Sequence, residues 1–267
     1  MLTSKFWKCA ENLYDPSLGT EAVAPLLYYL IRTIRPKNVL EFGSGYSTLF
    51  ILQALSDNLR EFQLEKEALK RKNSSYKEEP YNEEFYNWLY SKDAPLSNPE
   101  YYMQEYKPQL VCFEQLPKNH PHTQKVLEAV KELDFFHLLT FIEGHACGQS
   151  NKIPDTCLPI DFAWNDAEAY ENFFDEYWGL INSEDGYLLY HNTISSFFSH
   201  VSIMEKIKIR LEKFKNYELL NIVEPHKINQ RSCTIIKKVS QSKKIYFDRP
   251  ECQKQVYNTF LNFLKTH

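Results

Sequence analysis

Glycine is scarce in this chain, with 7 among 267 residues. A fold that turns on so few permissive positions must place each of them where the backbone needs it. Methionine is rarer still, at 3. No apolar run approaches the roughly 20 residues of a membrane-spanning helix, so no membrane partner is expected. The 6 cysteines contain no CxxC pair, which removes the usual spacings of metal fingers and redox motifs. Cys112 and Cys233 fall inside strand-like runs, where a free thiol packs as a small hydrophobe. An excess of one charge is missing too: 31 Lys and Arg stand against 35 Asp and Glu, a formal net charge of -4. That balance does not suit a protein that grips nucleic acid by general electrostatics, so no nucleic-acid partner is expected. The opening residues, MLTSKFWKCAENLYD, lack the continuous apolar stretch of a secretory signal. Reduced thiols and a cytoplasmic setting are therefore expected.

What is present is enough apolar material, 43% hydrophobic and 15% aromatic, for one large domain or a domain with an elaboration. Residues 19–35, GTEAVAPLLYYLIRTIR, carry apolar residues at helical spacing, with Pro25 early and Pro36 as a stop. NVLEF (38–42) reads as a short strand, and YSTLFILQAL (46–55) as a helix. Strand, glycine turn and helix form the opening of a doubly wound α/β sheet. From about 56 to 108 the chain becomes charged and tyrosine-rich, with KEEPYNEEFYNWLY at its centre, and two or three short helices are expected. Strands then recur at 109–115, 137–144, 159–166 and 186–192, separated by helices over 119–133, 167–181 and about 195–214. Two β-rich runs, 217–224 and 232–239, read as an antiparallel hairpin, and 251–265 as an amphipathic helix.

The expected fold is thus α/β: a Rossmann-like, doubly wound sheet of seven strands ending in an antiparallel hairpin. Its parts are 1–56, the N-terminal helices and first βα unit; 57–108, a helical insertion; 109–239, the rest of the sheet domain; and 240–267, a helical tail.

Within VLEFGSGYST (39–48) the acid Glu41 leads into Gly43 and Gly45, with Ser47 and Thr48 following. A nicotinamide-type loop, G-x-G-x-x-G, would need glycine where this chain has Thr48. The fourth strand runs into an acidic turn, DFAWNDA, and the fifth into the polar triplet HNT. Together these resemble the class I S-adenosylmethionine-dependent methyltransferases, and most of all their small-molecule O-methyltransferase-like branch, methyltransferase family 24. There a third glycine is common where this chain has Ser47. The resemblance covers about 19–56 and 109–239, leaving the insertion and the tail unaccounted for. It implies an enzyme that moves a methyl group from S-adenosylmethionine, directly and in line, to a hydroxyl or carboxyl oxygen of a small-molecule or peptide-like acceptor. Two other readings stay open: a protein or nucleic-acid methyltransferase, and a methyltransferase-fold interaction module without catalysis. The absence of an N-P-P-Y-type motif weighs against nucleic acid.

The resemblance places Glu41, Gly43, Ser44, Gly45, Tyr46, Ser47 and Thr48 at the cofactor. Glycines let the backbone come close, amides at a helix start meet a carboxylate, and Glu41 is suited to a cationic amine. The ribose calls for an acid at the end of the second strand. Glu61 and Glu65 have the usual spacing but lie in a helical segment, so Glu114, after LVCF, is preferred. His145 either lines the adenine pocket or is a surface-loop histidine. Asn165 lies beside the cofactor.

At the reacting end stand Asp166, Glu168, His191 and Asn192. His191 is the favoured general base, since imidazole is neutral near pH 7; the bland alternative is a strand-end residue that orients a neighbour. Asp166 orients His191, meets an acceptor amine or helps fix the cofactor, while Asp161, at the start of its strand, is expected to be structural. Catechol-type relatives hold magnesium at the positions of Asp166, His191 and Asn192. Histidine in place of the second acid removes an oxygen ligand that magnesium prefers, so no metal is expected. In the insertion Tyr81, Phe85 and Trp88 share a helical face. That face either packs the insertion onto the domain or forms an aromatic cover, with Tyr86 and Trp88 against the acceptor. The aromatic content and the extra tail leave room for a homodimer.

Overall fold

The computed structural model describes residues 2–75, 87, 91, 99–167, 170–194, 202–239 and 258. The chain divides into two compact units, Met1–Asp57 with Pro108–Ser242, and Asn58–Lys107 with Lys243–His267.

The first unit is built on strands β1 (Asn38–Phe42), β2 (Gln109–Glu114), β3 (Leu139–Glu143), β4 (Phe162–Asn165), β5 (Tyr187–His191), β6 (Tyr217–Val223) and β7 (Ser232–Lys238). They form one sheet in the order β3-β2-β1-β4-β5-β7-β6. β1 to β5 are mutually parallel, and β7 runs antiparallel between β5 and β6. The seven-stranded sheet with its terminal hairpin is the one the sequence led us to expect. Its order reverses between β1 and β4, which makes the crevice beyond their C-terminal ends the switch point where such sheets take ligands.

Alternation along the strands sorts side chains onto two faces. Leu40, Phe42, Val111, Phe113, Ala163, Leu188, Tyr190 and Ile236 share one core cluster. Covering them are Phe173, Phe174 and Tyr177 of α6 (Tyr170–Tyr177) and Ile207 and Leu211 of α7 (Ile203–Leu211). The alternate positions Glu41, Cys112 and Trp164 pair in register on the opposite face. The Trp164 ring lies 5.8 Å from that of His191, two residues along on β5. Glu41, Cys112 and Trp164 thus stand side by side across three strands on the face opposite that cluster, with His191 beyond them on β5.

Ahead of β1, α1 (Ser4–Glu11) is capped by the Thr3 hydroxyl, which accepts from the Phe6 amide at 3.2 Å. Phe6 meets Phe50 edge-on at 4.9 Å. Helix α2 (Val23–Ile34) begins later than the expected residue 19. Gly19 lies in the left-handed region, at φ 67, where a Cβ would run into Gln230. The helix stops at Arg35, also left-handed, just before Pro36. At the N-terminal edge Asp161 is structural, as expected: its Oδ2 accepts from the amides of Lys37 and Asn38 at 2.9 and 3.0 Å. Its Oδ1 accepts from the Asn182 side chain at 2.8 Å.

One expectation is corrected. The helix after the glycine loop does not give way to short helices near residue 56; α3 runs unbroken over Tyr46–Ser75, 30 residues. No glycine or proline interrupts that stretch, and its charged half is rich in Glu, Lys, Leu and Arg, all good helix formers. Smaller differences follow local geometry. β3 starts at Leu139 because Phe136–Leu138 form a 3-10 turn. The helix expected over 167–181 is α6, followed by a 3-10 turn at Trp178–Leu180.

The second unit has its own small core of Phe62, Leu69, Tyr102 and Tyr106, with Leu59, Tyr101 and Met103 against it. It includes α4 (Pro99–Met103). Phe62 stacks on Tyr102 at 5.2 Å, and the Tyr102 hydroxyl donates to Glu65 at 2.9 Å. Tyr81, Phe85, Tyr86, Trp88 and Glu168 lie outside the described residues, as does the tail expected over 251–265 apart from Asn258. No helix among the described residues is long and apolar enough to cross a membrane.

Candidate functional site

The glycine loop sits at the switch point, and its two glycines do different things. Gly43 has φ 83, a conformation L side chains rarely adopt, and its amide donates to the Phe113 carbonyl at 3.0 Å. Gly45 has an ordinary φ; a Cβ there would come no nearer than 3.8 Å to the His122 ring. The turn needs the first glycine, whereas the second keeps the approach to the backbone open.

Ser44 between them is clamped from two sides. Its amide and hydroxyl both donate to Glu114 Oε2, at 2.7 and 2.5 Å. Glu114 is buried, and its other oxygen accepts from the Leu116 amide at 2.8 Å. From the first turn of α5 (Pro121–Glu132), His122 Nε2 donates to the Ser44 carbonyl at 2.8 Å, which assigns the proton to that nitrogen. The acid expected at the end of the second strand is therefore tied directly to the loop. Glu65, by contrast, is bonded to Tyr102 in the other unit.

Gly45 precedes the first residue of α3 and has no side chain to accept from the first-turn amides. Its own amide donates to Thr48 Oγ1 at 2.8 Å, the backward reach of a capping box. The Ser47 hydroxyl donates to Glu41 Oε1 at 2.7 Å. Tyr46 points away into an aromatic group, 4.9 Å from Phe50 and 5.7 Å from Tyr14. Glu41 is wholly buried, and among the described residues its Oε2 has no hydrogen-bond partner. Burial pushes its carboxyl up to about 8, and the nearby Asp166 carboxylate adds to this. The hydroxyls of Ser47 and Thr48 and the Cys112 thiol act the other way.

On the far side of Gly43 lies a dyad of a buried histidine and a partly exposed aspartate. His191 Nδ1 and Asp166 Oδ1 are 2.7 Å apart, with His191 fully buried and the Asp166 side chain 25% exposed. Among the described residues His191 Nε2 has no hydrogen-bond partner. Asp166 is held by its amide, which donates to the Phe42 carbonyl at 3.3 Å, and its own carbonyl would lie 3.7 Å from a Cβ on Gly43. The carboxylate keeps the Nδ1–H tautomer and leaves the Nε2 lone pair available.

The flanking residues divide. Asn165 is buried, with Oδ1 accepting from the Ala167 amide at 2.9 Å and Nδ2 unpaired. Asn192 takes a left-handed conformation, φ 53, with its amide donating to the Ser232 carbonyl at 2.6 Å and a buried, unpaired Oδ1. Thr193 closes the triplet structurally, its hydroxyl 2.6 Å from that of Thr234 on β7. His145 is exposed, and its Nδ1 accepts from the Cys147 amide at 3.0 Å, within its own loop. That loop is pinned by Tyr177, whose hydroxyl donates to the Ala146 carbonyl at 2.6 Å. Glu176 holds it as well, accepting from the amides of Gly148 and Ser150 at 2.6 and 2.8 Å. Burial opposes the ionisation of Glu176, but these amides outweigh it and hold its carboxyl below the ordinary value.

Sequence reasoning missed His122, Glu176 and Tyr177. Pro121 at a helix start beyond the second strand was the available signal for the first. Tyr177 lies on α6 within the aromatic and aliphatic face, and Glu176 beside it carries no signal in the sequence.

No protein-family model matches the sequence, and no curated protein matches it. Solved structures do. The O-methyltransferase TomG of Streptomyces achromogenes, involved in tomaymycin synthesis and crystallised with S-adenosylmethionine, is 13% identical, with a TM-score of 0.57 over 89% of this chain and 91% of that one. An O-methyltransferase from Bacillus cereus, crystallised with S-adenosylhomocysteine, is 14% identical, with a TM-score of 0.53 and the same coverage, 89% and 91%. The chain has the Rossmann-like fold of the class I methyltransferases.

Proposed function

We propose that this protein is an S-adenosylmethionine-dependent methyltransferase acting on an oxygen of a small-molecule or peptide-like acceptor. One observation carries the reading. At the switch point of the sheet, a glycine loop clamped to the strand-end carboxylate Glu114 stands beside the Asp166–His191 dyad. The residues present fit the cofactor: Gly45 leaves the backbone approachable, and Glu41 Oε2 is a buried acceptor without a partner.

Glu114 uses three of the roughly four acceptor positions of a carboxylate on the chain itself, and the remaining one is available to a ribose hydroxyl. The amides of Tyr46, Ser47 and Thr48, at the positive end of α3, would hold the cofactor's carboxylate, and Glu41 its amine. When bound, S-adenosylmethionine supplies a methyl group activated by its sulfonium. His191 Nε2 then takes the proton of the acceptor oxygen, and Asp166 stabilises the resulting imidazolium while fixing its orientation. One carboxylate, one imidazole and one amide are a poor match for magnesium, so the proposed route is metal-free. Acceptor roles for Tyr86, Trp88 and Glu168, an adenine contact for His145, a cytoplasmic setting and a homodimer belong to the proposal on sequence grounds alone.

Methyl-labelled S-adenosylmethionine, incubated with the protein and separate pools of metabolites, peptides, proteins and RNA, tests the reading. Label is expected in a metabolite or peptide carrying a free hydroxyl or carboxyl, and label in RNA alone would contradict it.

A further inference from the structure

Glu41 is fully buried, and among the described residues only one of its carboxylate oxygens is hydrogen-bonded. Oε1 accepts from the Ser47 hydroxyl at 2.7 Å, and Oε2 has no hydrogen-bond partner. Its neighbours in the sheet offer no positive charge. Cys112 of β2 and Trp164 of β4 stand in register on either side. The Cys112 thiol is itself pushed well up, chiefly by burial, and supplies no cation. Beyond β4, the charged group acting on Glu41 is Asp166, an anion. His191, the nearest imidazole on β5, turns its Nδ1 to Asp166 instead. From α3 come only the hydroxyls of Ser47 and Thr48. A bare carboxylate is costly in such a place unless a cation arrives with it or a proton stays on it.

We infer that Glu41 carries a proton in the free protein and releases it when the cationic amine of the cofactor arrives, so that cofactor binding expels a proton. The inference rests on the cofactor reading above. The carboxyl pushed up to about 8 agrees with it. Binding then depends on pH with a definite sign. Acid favours the protonated form that the amine must displace, and base favours the form that receives it. Between about pH 5.5 and 7, where an α-amino group stays largely protonated, affinity should rise by close to tenfold per pH unit. The same site would make cofactor loading sensitive to small pH changes around neutrality.

Calorimetric titration of the full-length protein with S-adenosylhomocysteine at pH 7, in phosphate and in Tris, tests this. The two buffers differ in ionisation heat, so the difference in observed heat counts protons. Release of close to one proton per ligand is expected, with affinity rising as above, and Glu41→Gln should bind more weakly and release none. Binding with the same heat in both buffers and no pH dependence overturns the inference and leaves the cofactor reading standing. Release of the same proton by Glu41→Gln overturns the assignment to Glu41. If that variant fails to fold, the buffer and pH dependence of the unaltered protein still decides. No binding of S-adenosylhomocysteine at all overturns both readings.

Discussion

Replacing His191 with alanine is expected to lower the rate of methyl transfer by about 10²–10⁴-fold and to leave affinity for S-adenosylhomocysteine nearly unchanged. The split follows from geometry. Among the described residues the His191 side chain is hydrogen-bonded to Asp166, whereas the loop is held by Glu114. Its loss removes the group that takes the acceptor's proton and leaves the cofactor's contacts in place. His191 is fully buried, so alanine also opens a cavity and leaves the Asp166 carboxylate without its partner. His191→Gln separates the effects: it fills most of the space and can still donate to Asp166, but it cannot accept a proton. Rates as low as those of alanine, in a protein as stable as the original, identify the base. Full activity in His191→Gln would reduce His191 to a strand-end residue that orients its neighbour.

Glu114→Ala is expected to weaken S-adenosylhomocysteine binding by at least about tenfold in calorimetry. The carboxylate accepts from the Ser44 amide, the Ser44 hydroxyl and the Leu116 amide. A hydrogen bond to a charged group contributes roughly 1.5–3 kcal/mol, and each 1.4 kcal/mol is about a decade in affinity. Removing the acid both loosens the loop and deletes the proposed ribose acceptor. Glu61→Ala serves as the control and should leave affinity unchanged. If the control loses binding and Glu114→Ala does not, the ribose is held elsewhere.

The sheet and most of this site were legible in the sequence because both depend on local patterns. Short apolar runs bounded by turn residues gave all seven strands, and Glu114 could be separated from Glu61 and Glu65 because LVCF is a strand where their surroundings are helical. The division of labour between the two glycines was not legible, since Gly43 has a positive φ and Gly45 does not, and spacing carries no dihedral. The length of α3 is not legible from charge, because a shift to charged residues does not end a helix that contains neither glycine nor proline. His122 escaped notice because its hydrogen bond to Ser44 spans 78 residues of sequence, and such a contact exists only once β1 and β2 are paired. The unpartnered Oε2 of Glu41 belongs to the same class: its isolation is a property of the packed sheet.

The loop from Gly43 to Gly45 and the Glu114 carboxylate are proposed to hold S-adenosylmethionine together. A crystal structure of the full chain grown with S-adenosylhomocysteine tests this most directly. Ligand density is expected against that loop, with a ribose hydroxyl at Glu114 and the amine at Glu41. Density elsewhere, or a ribose held by Glu61 or Glu65, would contradict it.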